Sequence, residues 1–600
     1  MVIIVFYYWD TIYQKLDMIL YCFKSGVLLL LKYQMKGCYN MNNKKLRLIG
    51  LVLVLSMIVL ALSGCGTKNE LVSGTSGSYV MDPILNPLGS ETICKETVTL
   101  EFLMSRSGTV TDYDTNAFTK RLEEKGNVEI VFNLLPSNDS SSKINLMLSS
   151  GSDLPDVINH DLDDITVATY GDAGTFLALN DYYANSSEYL MPRIEQYKEE
   201  KGVNLLDYIT MSDGNIYTMG SFNESIHNNF PSVIWMYEPW LKKLGMELPT
   251  TLDEYVECLK AFRDKDPNGN GIGDELPVID YARTFSNDGF MYAFLQAFIK
   301  TGNYNTAIVD GKVNMYYTTD EYKEFLKWMK MLYSEGLLDK TTFSQDSATL
   351  KTLMNGKEVR IGSYVSTSTS ILTAGDKRRE NYEYKPVFLE NGDEATIYYT
   401  NSILPYNKYF ITKSCKHPEV AFRLGDFMSG AEMTTWTRWG EKGVDWVEPA
   451  KDDVSMYDFM GYDAIIDAVT QWGSVQNGHW AQTSPSFRTA EIAAGVVSSD
   501  SSQQAKADGI KILYDRYGEN LGVDINDRIY KLIFSIDELE EISDITTIIN
   551  SYAQNAQYKF ITGEMDIDKE WDNFIKELKS SNVDRLVEIY QTAYDRMNDK

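Results

Sequence analysis

The chain has 600 residues, 44% of them hydrophobic and 24% charged, an ordinary globular composition and more chain than one core organises, so two or more lobes are expected. Its 56 Lys and Arg face 85 Asp and Glu, and a net charge of −29 excludes nucleic acid as a partner, because phosphate recognition needs a basic surface. Four histidines without helical metal spacing, and no CxxC pair, GxSxG elbow or GxxxxGK[ST] loop, remove the usual signatures of zinc, redox, serine-hydrolase and nucleotide chemistry.

The amino terminus reads as an address. From Met41, the basic residues Lys44, Lys45 and Arg47 precede a charge-free apolar run from Leu48 to Leu62, the pattern of an export signal. The run ends in Leu62-Ser63-Gly64-Cys65, which resembles the bacterial lipobox, so Cys65 is expected to carry lipid (palmitate or a similar acyl chain) after cleavage. Leu48 to Thr67 is also long enough for a plain transmembrane helix, but small residues crowd the cysteine and no basic cluster follows. Residues 1–40 place Asp10, Lys15, Asp17, Lys24 and Lys32 among apolar residues and are read as upstream translation, with 41–64 as the signal peptide. Codons for Lys36-Gly37 can form a ribosome-binding sequence ahead of Met41. After Cys65 the balance is 49 basic against 83 acidic residues, or −34. The three cysteines left there, Cys94, Cys258 and Cys415, are odd in number and far apart, which speaks against a disulfide framework.

Residues 65–96 hold the lipid cysteine and a tether containing Ser73-Gly74-Thr75-Ser76-Gly77-Ser78, able to hold the folded part about 30 Å from a membrane. Short β-rich runs then alternate with amphipathic stretches. Strands are predicted at 98–104, 128–134 and 155–159, with helices at 115–124 and 141–149 between them. That βαβαβ order implies a parallel sheet covered by helices. A second lobe follows, with a strand at 233–237, a helix at 239–244 and another at 251–263 opened by Thr250 or Thr251 with Glu254. Thr318 is expected to cap a helix over 319–335, whose Tyr322, Phe325, Leu326, Met329, Leu332 and Tyr333 form one apolar stripe.

The densest local chemistry is Asp264-Lys-Asp-Pro-Asn-Gly-Asn-Gly-Ile-Gly-Asp-Glu275, directly after a helix. Ca²⁺ takes six to eight oxygens, and alternate Asp and Asn on a curled glycine-rich loop can supply several to one centre. The favoured ligands are Asp266, Asn268, Asn270, the Ile272 carbonyl, Asp274 and Glu275, in a structural role. A competing twelve-residue register starts at Asp264, but Ile272 then sits one place late. A solvated turn is the plain alternative.

Four segments share a further likeness: 116–125, 145–156, 213–217 and 416–424, the last reading Lys-His-Pro-Glu-Val-Ala-Phe-Arg-Leu. With the lipobox they resemble the large lipoprotein members of the extracellular solute-binding proteins of family 1, which serve carbohydrate ABC transporters. The likeness runs from about Val98 to the end and includes an Asp-x-Asn-x-Asn-x-x-x-Asp-Glu loop matching Asp266 to Glu275. It implies a two-lobe α/β fold of the type II periplasmic-binding-protein kind, with hinge crossovers near 222–225 and 397–401. The amino-terminal lobe would hold 97–222 plus about 400–440, and the carboxyl-terminal lobe 223–396 plus about 441–600.

The resemblance further implies no enzyme, but a monomeric receptor anchored by lipid to the extracellular face of the cell membrane. Its partners would be an oligosaccharide and the transmembrane subunits of an ABC permease. Glu224 at the first crossover is expected to accept sugar hydroxyls, and Tyr364, in Gly362-Ser-Tyr364 after a strand at 359–361, to offer a stacking face. Arg106 and His160 follow the first and third strands, at the carboxyl ends where ligands bind open α/β sheets. Five of ten tryptophans, Trp436, Trp439, Trp446, Trp472 and Trp480, cluster late in the chain and could stack on sugar rings. Two carboxylates in such a cleft would also serve a glycoside hydrolase, and an adhesin or sensor could use the same fold.

Overall fold

A computed structural model describes residues 79–600, apart from 138, 227–229, 231, 374, 393, 396–405, 471, 498–500, 518–527, 530, 599 and 600. Cys65, the signal and almost all of the tether therefore lie outside the described residues. Two main sheets use ten strands: β1 (Val98–Arg106), β2 (Val128–Pro136), β3 (Val157–Asn159), β4 (Met219–Asn223), β5 (Val233–Tyr237), β6 (Leu276–Val278), β7 (Ile361–Ser366), β8 (Tyr384–Val387), β9 (Tyr406–Ile411) and β10 (Phe487–Arg488).

The first sheet has the order β10-β4-β9-β3-β1-β2. β1 runs parallel to β2, with Val98 opposite Val128, and to β3, with Phe102 opposite Val157. β9 is antiparallel to both β3 and β4, so β1 to β4 all point the same way. Alternation along β1 feeds two layers, one on each face of the sheet. Phe102 and Met104 join a core with Phe118, Leu122, Phe422 and Trp480, whereas Leu103 joins Ile144, Ile158 and Phe410. Helix α1 (Ala117–Gly126) is started by Asn116, whose side chain accepts from Phe118 N–H, and α2 (Ser140–Ser150) leads back towards β3.

The second sheet, β8-β5-β7-β6, is mixed: β5 is antiparallel to both neighbours, and β6 is parallel to β7. β5 is buried along its whole length, as its unbroken Val-Ile-Trp-Met-Tyr run requires for a strand covered on both faces. Helix α3 (Leu252–Asp264) opens on a capping box in which Thr251 and Glu254 satisfy each other's backbone N–H groups. Helix α4 (Asp320–Ser334) buries Tyr322, Phe325, Leu326, Met329 and Leu332. Its cap is Thr319, one residue later than expected, because the Thr319 hydroxyl is the one that reaches Tyr322 N–H.

The chain leaves the first sheet at Asn223 and enters the second at Val233, which lies opposite Ser366 at the end of β7. It returns between Val387 and Tyr406, where β9 starts beside the end of β4. The crossovers thus link the carboxyl-terminal edges of the two sheets.

The later boundary differs from expectation. The sequence places the segment after 441 in the second lobe, yet Trp480 and Phe487 are buried in the first core and β10 extends the first sheet beside β4. Trp480 packs against Phe102, Tyr113, Phe118 and Phe132 and donates to the Thr119 hydroxyl at 2.8 Å. From residue 536 the chain forms three helices, α5 (Ile536–Thr562), α6 (Ile567–Ser580) and α7 (Val583–Asn598), packed mainly on the second core. The start of α5 also reaches the first lobe, where Ile536 and Leu539 lie against its core and nearby Lys531 pairs with Asp164 at 3.0 Å. Cys94, Cys258 and Cys415 are buried free thiols. Among the described residues no helix is long and apolar enough to cross a membrane.

Candidate functional site

Parallel strands end together, so the residues following β1, β3 and β4 share one edge of the first sheet. Arg106 closes β1 and is exposed. His160, just past β3, is half-buried, with Nδ1 3.1 Å from the Ser105 hydroxyl and Nε2 3.3 Å from that of Ser141 at the start of α2. Burial holds the imidazole below its usual pKa, so at neutral pH it is uncharged. The structure brings these two expected residues together at the sheet edge.

A distant segment completes that edge. Gln476 bridges to Val110 and its carbonyl accepts from Thr111 N–H at 3.0 Å, while the Asn477 carbonyl accepts from Ala117 N–H at 3.0 Å. This docking sets Trp472, 38% exposed, parallel to His479 at 6.0 Å between ring centroids. The Arg438 guanidinium lies 4.0 Å over the Trp472 ring and 5.0 Å from that of Trp439. Burial pushes His479 down to about 4, again a neutral ring. Of the aromatic residues singled out in the sequence, Trp472 is the one displayed here, whereas Trp480 is core.

The corresponding edge of the second sheet carries residues that the sequence did not single out. After β6 come Asp280, Tyr281 and Arg283. The buried Asp280 carboxylate accepts from Tyr281 N–H at 2.8 Å and from Arg283 Nη2 at 2.9 Å, and it fixes the guanidinium 4.1 Å over the half-buried Tyr281 ring. Burial lifts Asp280 to about 6, although Arg283 opposes the shift. It lifts Asp288, which caps Met291 N–H, to about 7.

Two expectations are corrected. Tyr364 is not a platform after a strand but the middle of β7, fully buried with its ring 5.2 Å from that of Tyr384. The strand runs to Ser366 because β5 and β6 flank it on both sides, and no ligand can stack on a ring so enclosed. Glu224 does lie at the crossover, but its carboxylate is engaged within the protein. It accepts from Ala490 N–H at 3.0 Å and from Tyr197, and burial raises its pKa.

The loop after α3 curls on residues in the left-handed region: Asp266 at φ 44°, Gly269 at 77° and Gly271 at 78°. Asp266 accepts from Gly269 and Gly271 N–H at 2.9 and 3.0 Å. Asn268 and Asn270 accept from the N–H groups of Asn270 and Ile272, and both donate to Asp274 Oδ1 at 3.0 Å. The Ile272 carbonyl accepts from Asp274 N–H at 2.9 Å. Arg360 closes on Asp274 Oδ2 at 2.8 Å. Glu275 Oε2 is buried without a hydrogen-bond partner. The exposed Asp264 points elsewhere, pairing with Arg263, so the register beginning there loses its first ligand. Asn268, Asn270 and Arg360 converge on Asp274, and although no three acidic side chains among the described residues are gathered here as for an ion, the orphaned buried oxygen of Glu275 beside them fits a cation-binding loop.

Two α/β sheets joined edge to edge by crossovers, with polar and aromatic side chains at the linked edges, define a two-lobe solute receptor of the type II periplasmic-binding architecture. The chain belongs to the bacterial extracellular solute-binding protein family, whose sequence profile matches residues 107–435. The family consists of binding proteins rather than enzymes, and its name places them outside the cell.

The fructooligosaccharide ABC transporter substrate-binding protein FusA of Streptococcus pneumoniae serotype 4 is 28% identical over 568 residues, covering 91% of this chain and 97% of FusA. The solved structure of S. pneumoniae FusA with kestose superposes with a TM-score of 0.65 at 24% identity, covering 83% of this chain and 99% of that one. An EF-hand mutant of FusA with fructo-nystose gives 0.64 at 23%, with the same coverage. An HMO-binding, ABC-transporter-associated solute-binding protein of Bifidobacterium longum infantis gives 0.68 at 19%, also covering 83% and 99%. At these identities the superpositions establish the fold.

Proposed function

We propose that this chain is a lipid-anchored receptor that captures an oligosaccharide between its lobes, without altering it, and delivers it to the transmembrane subunits of an ABC importer. The observation that carries this reading is the near full-length alignment with FusA, an oligosaccharide-binding subunit of such a transporter. The linked sheet edges support it physically. Trp472 and Tyr281 offer apolar ring faces, and Arg106, His160 and Arg283 offer polar groups for hydroxyls, the pairing that sugar rings require. The chain would act as a monomer, held by acyl chains on Cys65, with 65–96 as its tether.

Calcium has a structural place in this reading. Asp266, Asn268, Asn270, Asp274 and Glu275 would hold it with the Ile272 carbonyl, after the two amides turn about their terminal bonds to present oxygen in place of nitrogen. The orphaned Glu275 Oε2 supports this, as does the description of a FusA variant as an EF-hand mutant. The ion would supply charge to a loop wedged between α3 and β6; it has no part in any reaction.

A thermal-shift screen tests the assignment. The mature chain without signal and lipid cysteine, residues 66–600, is heated with fructo-, galacto-, manno- and uronate oligosaccharides, peptides and amino acids. A melting temperature raised by one glycan class alone is the expected result, and a rise only with peptides or amino acids overturns it.

A further inference from the structure

Near the edge of the first sheet, besides the exposed Arg106, two guanidinium groups, those of Arg488 and Arg438, have no carboxylate acting on them among the described residues. Arg488, 3% exposed at the end of β10, bonds only neutral groups, the Ser225 hydroxyl at 2.7 Å and the Ala493 carbonyl at 3.3 Å, and its Nε has no partner. Arg438 is half-buried; its Nη1 bonds the neutral Gln482 side chain, and its Nε is buried without a partner. Neither arginine forms an ion pair among the described residues. Burial disfavours the charged form of Arg438, and repulsion from the Arg488 guanidinium adds to it. Asp445, the nearby carboxylate that acts on His479, is committed to Glu441 N–H at 2.9 Å and the Thr470 hydroxyl at 3.3 Å.

Desolvating a cation without a counter-charge is costly, so proteins normally place a carboxylate beside a buried arginine. Here the compensation within the chain is limited to ring faces and neutral acceptors. The Arg438 guanidinium lies 4.0 Å from the Trp472 ring centroid, and Trp472 remains 38% exposed. A guanidinium held by Gln482 through Nη1 and set over an indole, with no ion pair among the described residues, is suited to meet a carboxylate, and the exposed part of that indole can take the C–H face of the same sugar.

Resting on the receptor reading above, we propose that Arg438, held over Trp472, determines specificity in the cleft and selects an oligosaccharide bearing carboxylates, a chain of uronic acid units. The ligand's charge supplies what the chain leaves out at this edge. This selection operates against a protein whose overall charge is strongly negative, so it is local and short in range.

Calorimetry tests the proposal on the mature chain without signal and lipid cysteine, residues 66–600, with oligogalacturonates and alginate oligomers, against galacto- and mannooligosaccharides and 1-kestose. At least one uronate series is expected to bind tenfold or more tighter than every neutral glycan, and to weaken as salt is raised. Arg438→Gln should weaken the uronate tenfold to a hundredfold, and Arg438→Lys should restore part of the loss. Trp472→Ala should weaken binding with the melting temperature of the free protein kept, which separates lost contact from lost fold. Tight binding of a neutral glycan, unchanged in Arg438→Gln, overturns the acidic specificity and leaves the receptor reading intact. Binding of none of these glycans overturns both.

Discussion

Removing Asp274 should separate what the loop gains from its own hydrogen bonds from what it gains from calcium. Asp274 Oδ1 gathers the amides of Asn268 and Asn270 at 3.0 Å each, and Oδ2 meets Arg360 at 2.8 Å. The Arg360 pair is partly exposed and contributes at most about 1 kcal/mol. Together with the amide bonds, Asp274→Ala should cost roughly 1 to 2 kcal/mol in chelator alone. Calcium at a hundredfold excess over its Kd adds about 2.7 kcal/mol to the native state, a rise of a few degrees in Tm. Calorimetric melting of wild type, Asp274→Ala and Arg360→Ala, each with EDTA and with Ca²⁺, resolves the two parts. Wild type should gain stability from Ca²⁺, Arg360→Ala should melt earlier but keep the gain, and Asp274→Ala should lose most of it. If EDTA leaves wild-type melting unchanged and metal analysis finds no calcium, the loop is a hydrogen-bonded turn and the ligand assignment fails.

Three other outcomes are expected. Fatty-acid labelling in a bacterial host should mark the full chain and disappear in Cys65→Ser; label that persists would refute the lipid anchor. Trp480→Ala should destabilise the first lobe by about 3 to 5 kcal/mol, read by denaturant unfolding, because the indole fills a cage of four aromatic rings and satisfies the Thr119 hydroxyl. Asp280 and Asp288, lifted by burial to about 6 and about 7, hold protons in the folded chain that the unfolded chain releases near pH 4. Their contribution to stability therefore falls as pH rises from about 4 to 7. Tm measured against pH should show a smaller loss across that window in Asp288→Asn than in wild type, and equal slopes would contradict the assignment.

Local patterns in the sequence anticipated the elements that depend on neighbours in the chain. The Val-Ile-Trp-Met-Tyr run of β5, the Thr251 and Glu254 capping box of α3 and the stripe on α4 all follow from composition and period. The loop from 266 to 275 was equally legible, since its oxygen-bearing side chains are spaced by its own glycines. Long-range pairing was not. Tyr364 reads as a residue beyond a short strand, and only β5 and β6 on either side extend that strand through it. Glu224 reads as a free carboxylate, and its Ala490 partner lies 266 positions away. Tyr281 and Arg283 follow a three-residue strand containing Pro277, too short to show a period. Trp472 and Arg438 meet only because 476–479 docks on the loop after β1, a contact that leaves no local trace.

The central claim, capture of an oligosaccharide without chemistry, is tested most directly by titrating the calcium-loaded mature chain, residues 66–600, with the best glycan from the thermal screen in a calorimeter. The account predicts heats that saturate at one ligand per chain and then return to the baseline of dilution. A continuing heat after each injection, the signature of turnover, would contradict it, as would an absence of saturable binding by any glycan.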